Sequence, residues 1–345
     1  MAPKYAKDQP IGFINRIERV AIVGAGGTVG KYITEALVKT SKHTVTALTR
    51  ADSTNKLPDG VTTIAVNYDD DDSLVEALRG QQVLIITIAY TAPPETHSKL
   101  VRAAAVAGVP YVMPNGWGTD TMNEKLQEDT MYGKRLIAAR GQIESLGVSK
   151  WIALVCGFWY EFSLGGTQDR YGFDFHNRSV VFFDDGNAKI NTSTWLQCGR
   201  GVASLLSLKL LPEDENDKDP AIDNWANGVF YISSFLVSQK DMFESVKRVT
   251  GTTEAEWKIA YEGSEERYKK AVQDLHDGDR NGFVRLLYTR VFYPNGGGDY
   301  ETSKGLQNEI LGLPEEDLDE ATREAIRLAL NGELSAGDRK AGLRG

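Results

Sequence analysis

Four glycines, Gly24, Gly26, Gly27 and Gly30, follow directly on the β-branched run Val20-Ala-Ile-Val23 and open a stretch in which Val29, Ile33, Ala36 and Leu37 recur at helical spacing. A strand that turns through glycine into a helix presents bare backbone N–H groups at the positive end of the helix dipole, where an anion is stabilised. In a Gly-x-x-Gly-x-x-Gly reading, Gly24 makes the tight turn, Gly27 lets a pyrophosphate approach the backbone, and Gly30 closes helix against strand. Gly26, Thr28 and Val29 supply the remaining donors around that anion. A loop for nucleotide hydrolysis needs four residues between Gly and Gly-Lys, then Ser or Thr. Here five residues separate Gly24 from Gly30-Lys31, and Tyr32 follows.

The second strand, Thr44-Val-Thr-Ala-Leu48, ends in Thr49-Arg50. An acidic residue there would bind the adenosine ribose and select NAD, whereas a guanidinium pairs bidentately with a 2′-phosphate. Arg50, with Lys56 as a second positive charge, therefore points to NADP(H), and Asp52 is the opposing signal. The buried run ending at Thr87, followed by Ile88 and Ala89, and the segment around Asn115 reach the same sheet edge and complete the expected cofactor contacts. The alternatives are a ligand-free turn at the glycines and a solvated Arg50.

These residues need a parallel sheet to hold them, and residues 17–155 alternate short apolar runs with amphipathic stretches as βαβ units do. The expected fold is α/β: a Rossmann-type doubly wound parallel sheet over residues 17–160, with later strands from residues 188–235. A smaller, mostly helical substrate-binding region takes residues 161–187 and 236–345, and residues 1–16 form an N-terminal extension. Within this frame the pattern predicts a long helix from Thr130 to Ser145, a charged linker from Pro212 to Asp223, a helix opened by Pro314 and running to Leu330, and a frayed end over the last fifteen residues.

Composition narrows the function classes. The chain has 345 residues, 41% hydrophobic and 25% charged, with a net charge of −9 that repels nucleic acid and anionic membrane surfaces. No apolar run approaches the length of a membrane span, and the N-terminus has no signal-like apolar core, so a cytoplasmic location is expected. Two cysteines, Cys156 and Cys198, fit a reducing compartment. Histidines 43, 97, 176 and 276 are dispersed, so no metal is expected, and no Gly-x-Ser-x-Gly elbow supports a hydrolase.

Several segments together resemble the NmrA-like and isoflavone reductase-like branch of the atypical short-chain dehydrogenases, particularly its fungal members. They are the Gly24/Gly27/Gly30 spacing, Thr49-Arg50, the stretch Asp69 to Gly80, the element Pro114-Asn-Gly-Trp-Gly-Thr-Asp120, and Ile143-Glu144 with Leu146-Gly147-Val148. The resemblance covers about residues 17–165 and implies a lysine as general acid or base on the helix after Asp120. Lys134 is the candidate, although counting back from Ile143-Glu144 without a gap puts Leu136 at that position. Tyr132 is a second candidate, and no Tyr-x-x-x-Lys signature occurs on this helix.

The expected reaction is NADPH-dependent reduction, by hydride transfer, of a small aromatic, phenolic or polyketide-type metabolite, in a monomer or homodimer. Trp117, Phe158, Trp159, Tyr160 and Phe162 are the candidate substrate contacts, continued by Tyr171, Phe173 and Phe175. The alternative is a non-catalytic NADP-binding sensor of the NmrA type. It would present an exposed apolar face on the helices after Pro314 to a protein partner.

Overall fold

Short β-branched runs, buried on both faces, build the central sheet of the computed structural model, which describes residues 4–89 and 92–334. Strand β1 (Arg19–Val23) leads through the glycines to helix α1 (Thr28–Lys39), followed by β2 (Thr44–Arg50), β3 (Thr62–Val66) and α2 (Asp71–Leu78). The alternation continues with β4 (Val83–Ile86), α3 (Pro94–Val106), β5 (Tyr111–Met113), α4 (Glu124–Asp129), α5 (Gly133–Leu146) and β6 (Lys150–Val155). Next come β7 (Phe158–Trp159), α6 (Tyr160–Leu164), β8 (Phe173–Asp174), β9 (Ser179–Phe183), β10 (Lys189–Ser193), α7 (Trp195–Leu206), β11 (Gly228–Tyr231) and β12 (Phe235–Ser238). The chain then runs through α8 (Gln239–Thr250), β13 (Lys258–Glu262), α9 (Ser264–His276), α10 (Asn281–Val291), α11 (Glu301–Lys304) and α12 (Leu318–Leu330).

The main sheet has the order β11-β6-β5-β4-β1-β2-β3, and every pairing in it is parallel. The chain leaves β1 toward β2 on one side and returns to β4 on the other, so a crevice opens at the carboxyl ends of β1 and β4. Helix α7 lies against α1, closely enough that a Cβ on Gly199 would come within 2.4 Å of the Tyr32 carbonyl. Helices α2, α3 and α5 pack side by side. Among the described residues no helix is long and apolar enough to cross a membrane.

Two predicted helices have different limits. The stretch expected as one helix from Thr130 is broken: Thr130 Oγ1 bonds back to the Leu126 carbonyl at 2.7 Å, Met131 takes φ 58°, and α5 starts afresh at Gly133. Gly133 lies so close to Gln127 that a Cβ would meet it at 2.3 Å, which fixes the turn. Helix α12 starts at Leu318, because the Asp317 carboxylate caps the N–H groups of Asp319 and Glu320. Pro314 lies ahead of it and accepts a bond from Gln197. Of the segment expected to fray, residues 335–345 lie outside the described residues.

The C-terminal region is mostly helical, with α8, α9, α10 and α12. Beside these helices stand two three-stranded sheets, β12-β10-β7 and β13-β9-β8, and the core they share is built from aromatic rings. Tyr171 and Phe173, read as possible ligand contacts, are fully buried there, and Phe175 is nearly so. Tyr160 is likewise fully buried. Its hydroxyl lies 2.7 Å from Thr322 Oγ1, Thr322 Oγ1 lies 2.8 Å from Ser245 Oγ, and Ser245 donates to the Asp319 carboxylate at 2.6 Å, so one network joins α6, α8 and α12. Tyr160 thus holds the fold together and does not reach a cleft. Tyr160→Phe, which removes one bond from this buried network, is expected to cost roughly 1–3 kcal/mol in urea unfolding with dinucleotide affinity unchanged.

Candidate cofactor and substrate site

At the crevice, β1, β4 and α1 converge on the Gly24 carbonyl. Gly24 has φ +83°, and a Cβ there would lie 2.1 Å from the Thr87 carbonyl; a Cβ on Gly30 would lie 2.1 Å from the Gly24 carbonyl. Thr87 Oγ1 donates to the Val23 carbonyl at 2.8 Å and sits 3.1 Å from that of Gly24, while Gly27 N–H donates to Gly24 at 2.8 Å. Thr34 Oγ1 takes up the Gly30 carbonyl at 2.7 Å. The loop's carbonyls are thus turned inward and satisfied by the protein. The N–H groups of the first turn of α1 have no intrahelical acceptor, and Gly27 at the N-cap offers no side chain to cap them. A pyrophosphate fits that bare, positively polarised end. Thr28 is exposed there, and Val29 is buried beneath it.

No helix joins β2 to β3. Residues 51–61 instead pass over the loop, bringing Asn55 and the Lys56 carbonyl to 3.0 Å from where a Gly26 Cβ would be. Arg50 and Lys56 both have exposed side chains, and the Arg50 guanidinium lies 3.3 Å from Asp52. This pair is open to water, so the carboxylate holds the guanidinium only weakly and an incoming phosphate can compete for it.

Beyond Thr87 the exit of β4 is fastened to the exit of β5. Asn115 Nδ2 donates to the Ile88 carbonyl at 2.9 Å, and Trp117 Nε1 donates to the Ile86 carbonyl at 2.8 Å. Between these exits and helices α3 and α5 lies a cavity of about 350 Å³ whose wall includes Ile88, Ala89, His97, Asn115, Tyr132 and Leu136. Tyr90 and Thr91, in the segment expected to reach this edge, lie outside the described residues. Tyr132, Leu136 and Ala139 follow helical spacing along one face of α5. Lys134 is rotated about 200° from Tyr132; it is exposed and does not line the cavity.

The aromatic candidates are divided. Phe158 stacks on Tyr288 with ring centroids 4.2 Å apart. Trp159 and Phe162, half-buried, meet each other and Trp195, on which Tyr32 stacks at 5.5 Å. Sequence reasoning passed over two titratable groups here, one half-buried and one buried. His97 reads as a lone histidine in a polar stretch, but burial pushes its pKa down to about 4, so it is neutral at pH 7. Glu161, set among aromatic neighbours in the sequence, is buried and its pKa is pushed up to about 8, chiefly by desolvation; it accepts the Trp195 N–H at 3.2 Å.

These features define a dinucleotide-binding Rossmann protein with a cavity beside the topological switch. Residues 17–163 match the NmrA-like family model. It is 29% identical over 313 residues to Oxidoreductase aprR of Aspergillus flavus, covering 90% of this chain and 99% of that protein. Oxidoreductase poxI of Penicillium oxalicum is 24% identical over 321 residues, 88% of this chain and 92% of the relative. Among solved structures, AtPrR2 with NADP+ and (+)pinoresinol superimposes with a TM-score of 0.69 at 17% identity, covering 90% of this chain and 99% of the other.

Two outcomes are expected. Gly30→Ala forces a methyl group into the Gly24 carbonyl and should lower dinucleotide affinity at least ~10-fold in a fluorescence titration, with a loss of melting temperature. Because the folded Glu161 pKa lies above its ordinary value near 4.5, the native state holds this proton more tightly, so the group's contribution to stability falls as pH rises from about 4.5 to 8. Glu161→Gln should therefore raise the melting temperature more at pH 8.5 than at pH 5.

Proposed function

We propose that this chain reduces a small aromatic, phenolic or polyketide-type acceptor held in the cavity between α3 and α5, with Tyr132 as its proton donor. The class is an NADP-dependent oxidoreductase. Its Aspergillus and Penicillium relatives, matched over most of their length, are oxidoreductases, and the structurally similar AtPrR2 is a complex with NADP+ and (+)pinoresinol. The observation that carries the reading is continuity. The wall of the cavity starts at Ile88 and Ala89, one residue beyond the Thr87 that is locked to the glycine loop, so a dinucleotide seated on the loop would extend to the cavity mouth.

Gly24, Gly26, Gly27, Thr28, Val29 and Gly30 would hold the pyrophosphate, and Arg50 with Lys56 the 2′-phosphate. Thr87, Ile88, Ala89 and Asn115 would line the path between them and the cavity. The nicotinamide, when bound, supplies the hydride. The protein must exclude water and place a proton at the acceptor oxygen, and Tyr132 is the hydroxyl in the cavity wall that suits this task. Lys134 could serve only by turning in from its exposed position. Trp117, Phe158, Trp159 and Phe162 do not line this cavity, whose apolar surface comes from Ile88, Ala92, Pro93, Leu136 and Ala139.

The sensor reading loses support at α12, whose Ala321, Ala325, Ile326 and Leu328 are buried, with α6 and α8 packed against the helix and Leu330 exposed at its end. A cytoplasmic setting is part of the proposal.

Tyr132→Phe should lower kcat with a quinone or enone acceptor by ~100-fold with NADPH affinity retained, whereas Lys134→Ala should stay within about 3-fold of wild type. Arg50→Ala should weaken NADPH binding by ~10-fold or more, measured by titration, while NADH binding changes little.

A further inference from the structure

We propose that His97 is a substrate-binding residue of this cavity, donating its Nδ1–H to a carbonyl oxygen of a ligand that lies lengthwise in the slot between α3 and α5. The inference rests on the reductase reading and adds to it a second polar contact and a shape.

The tautomer follows from one contact. The backbone N–H of Asn115 points at His97 Nε2, 3.4 Å away, a contact that assigns the lone pair to Nε2 and the proton to Nδ1. Among the described residues Nδ1 has no protein acceptor, although the ring lines the cavity. Burial keeps the imidazole neutral, and its position in the first turn of α3 adds the positive end of a helix dipole. A neutral imidazole in such a place is a weak acid. It can polarise a carbonyl by hydrogen bonding without surrendering its proton, which leaves proton transfer to Tyr132.

The other polar groups of the slot are engaged. Gln142 Nε2 donates to Ser98 Oγ at 2.8 Å, and Arg102 donates to the same oxygen at 2.8 Å, so the far end is closed by a satisfied network. From Tyr132 to Gln142 the α5 wall runs about 15 Å, and beyond Arg135 near its Tyr132 end it is surfaced by Leu136, Ala138 and Ala139 facing Ala92 and Pro93. Small apolar side chains on both sides suit a narrow, elongated apolar ligand with its carbonyl at the His97 end.

The test separates donor from prop. His97→Asn keeps an amide N–H near the place of Nδ1 and gives up the Asn115 contact, whereas His97→Gln keeps a group near Nε2 and gives up the inward donor. With NADPH and 9,10-phenanthrenequinone as the carbonyl probe, His97→Gln should lower kcat/KM by ~10- to 100-fold at unchanged NADPH affinity, and His97→Asn should stay within about 5-fold of wild type. The reverse order, or equal losses accompanied by weakened NADPH binding, would show that His97 only props the Asn115 backbone and overturns the proposal. In the NADP+-loaded full chain labelled with ¹⁵N-histidine, the quinone should shift the His97 Nδ1 resonance. No shift overturns the proposal whether or not NADPH is consumed. A wild-type protein that shows the shift but never oxidises NADPH sinks the reductase reading and leaves the His97 contact standing.

Discussion

The Gly24 carbonyl is the point on which the site depends. The next turn of α1 passes over it at Gly30, where no side chain could fit, and Thr87 reaches it from β4, so three elements are fixed to one another by a contact smaller than a methyl group. With the carbonyls locked inward, the free N–H groups of α1 are left for an anion, and the backbone after Thr87 is aimed at the cavity. Cofactor seat and cavity mouth are therefore set by one piece of close packing, which tolerates little change in volume.

On the far side of that knot the protein keeps titratable groups neutral by burying them. His97 is held uncharged beside the cavity, and Glu161 is held protonated beneath the Trp159, Phe162 and Trp195 rings. A fixed charge at His97 would oppose an apolar ligand, whereas a neutral donor there can orient one at little desolvation cost. Arg50, by contrast, stays in water at the other end of the sheet edge, where a phosphate is to be met.

Much of this could be read in the chain because the signals are local. Val20 to Val23 and Val83 to Ile86 are uninterrupted apolar runs, the glycines follow the first directly, and Arg50 ends the next strand, so sheet, loop and cofactor preference need no knowledge of distant residues. The cavity did not show itself in that way. Its wall on α5 depends on a helix that restarts at Gly133 because Gln127 crowds it, and the rotation of that helix turns Tyr132 inward and Lys134 outward. The aromatic run from Phe158 was ambiguous for the same reason: its period does not say which rings face the core. Tyr160, Tyr171 and Phe173 went there, bound into long-range contacts with Thr322, Thr192 and Phe243.

The central claim is that the glycine loop and the cavity form one continuous site, and a crystal structure of the chain with NADP+ tests it most directly. The account predicts the pyrophosphate on the N–H groups of the first turn of α1, the 2′-phosphate within hydrogen-bond reach of Arg50, and the nicotinamide opening onto the slot with the Tyr132 hydroxyl about 3 Å from the space beside its reactive face. A nicotinamide sealed by side chains, or turned away from Tyr132 and His97, would contradict it.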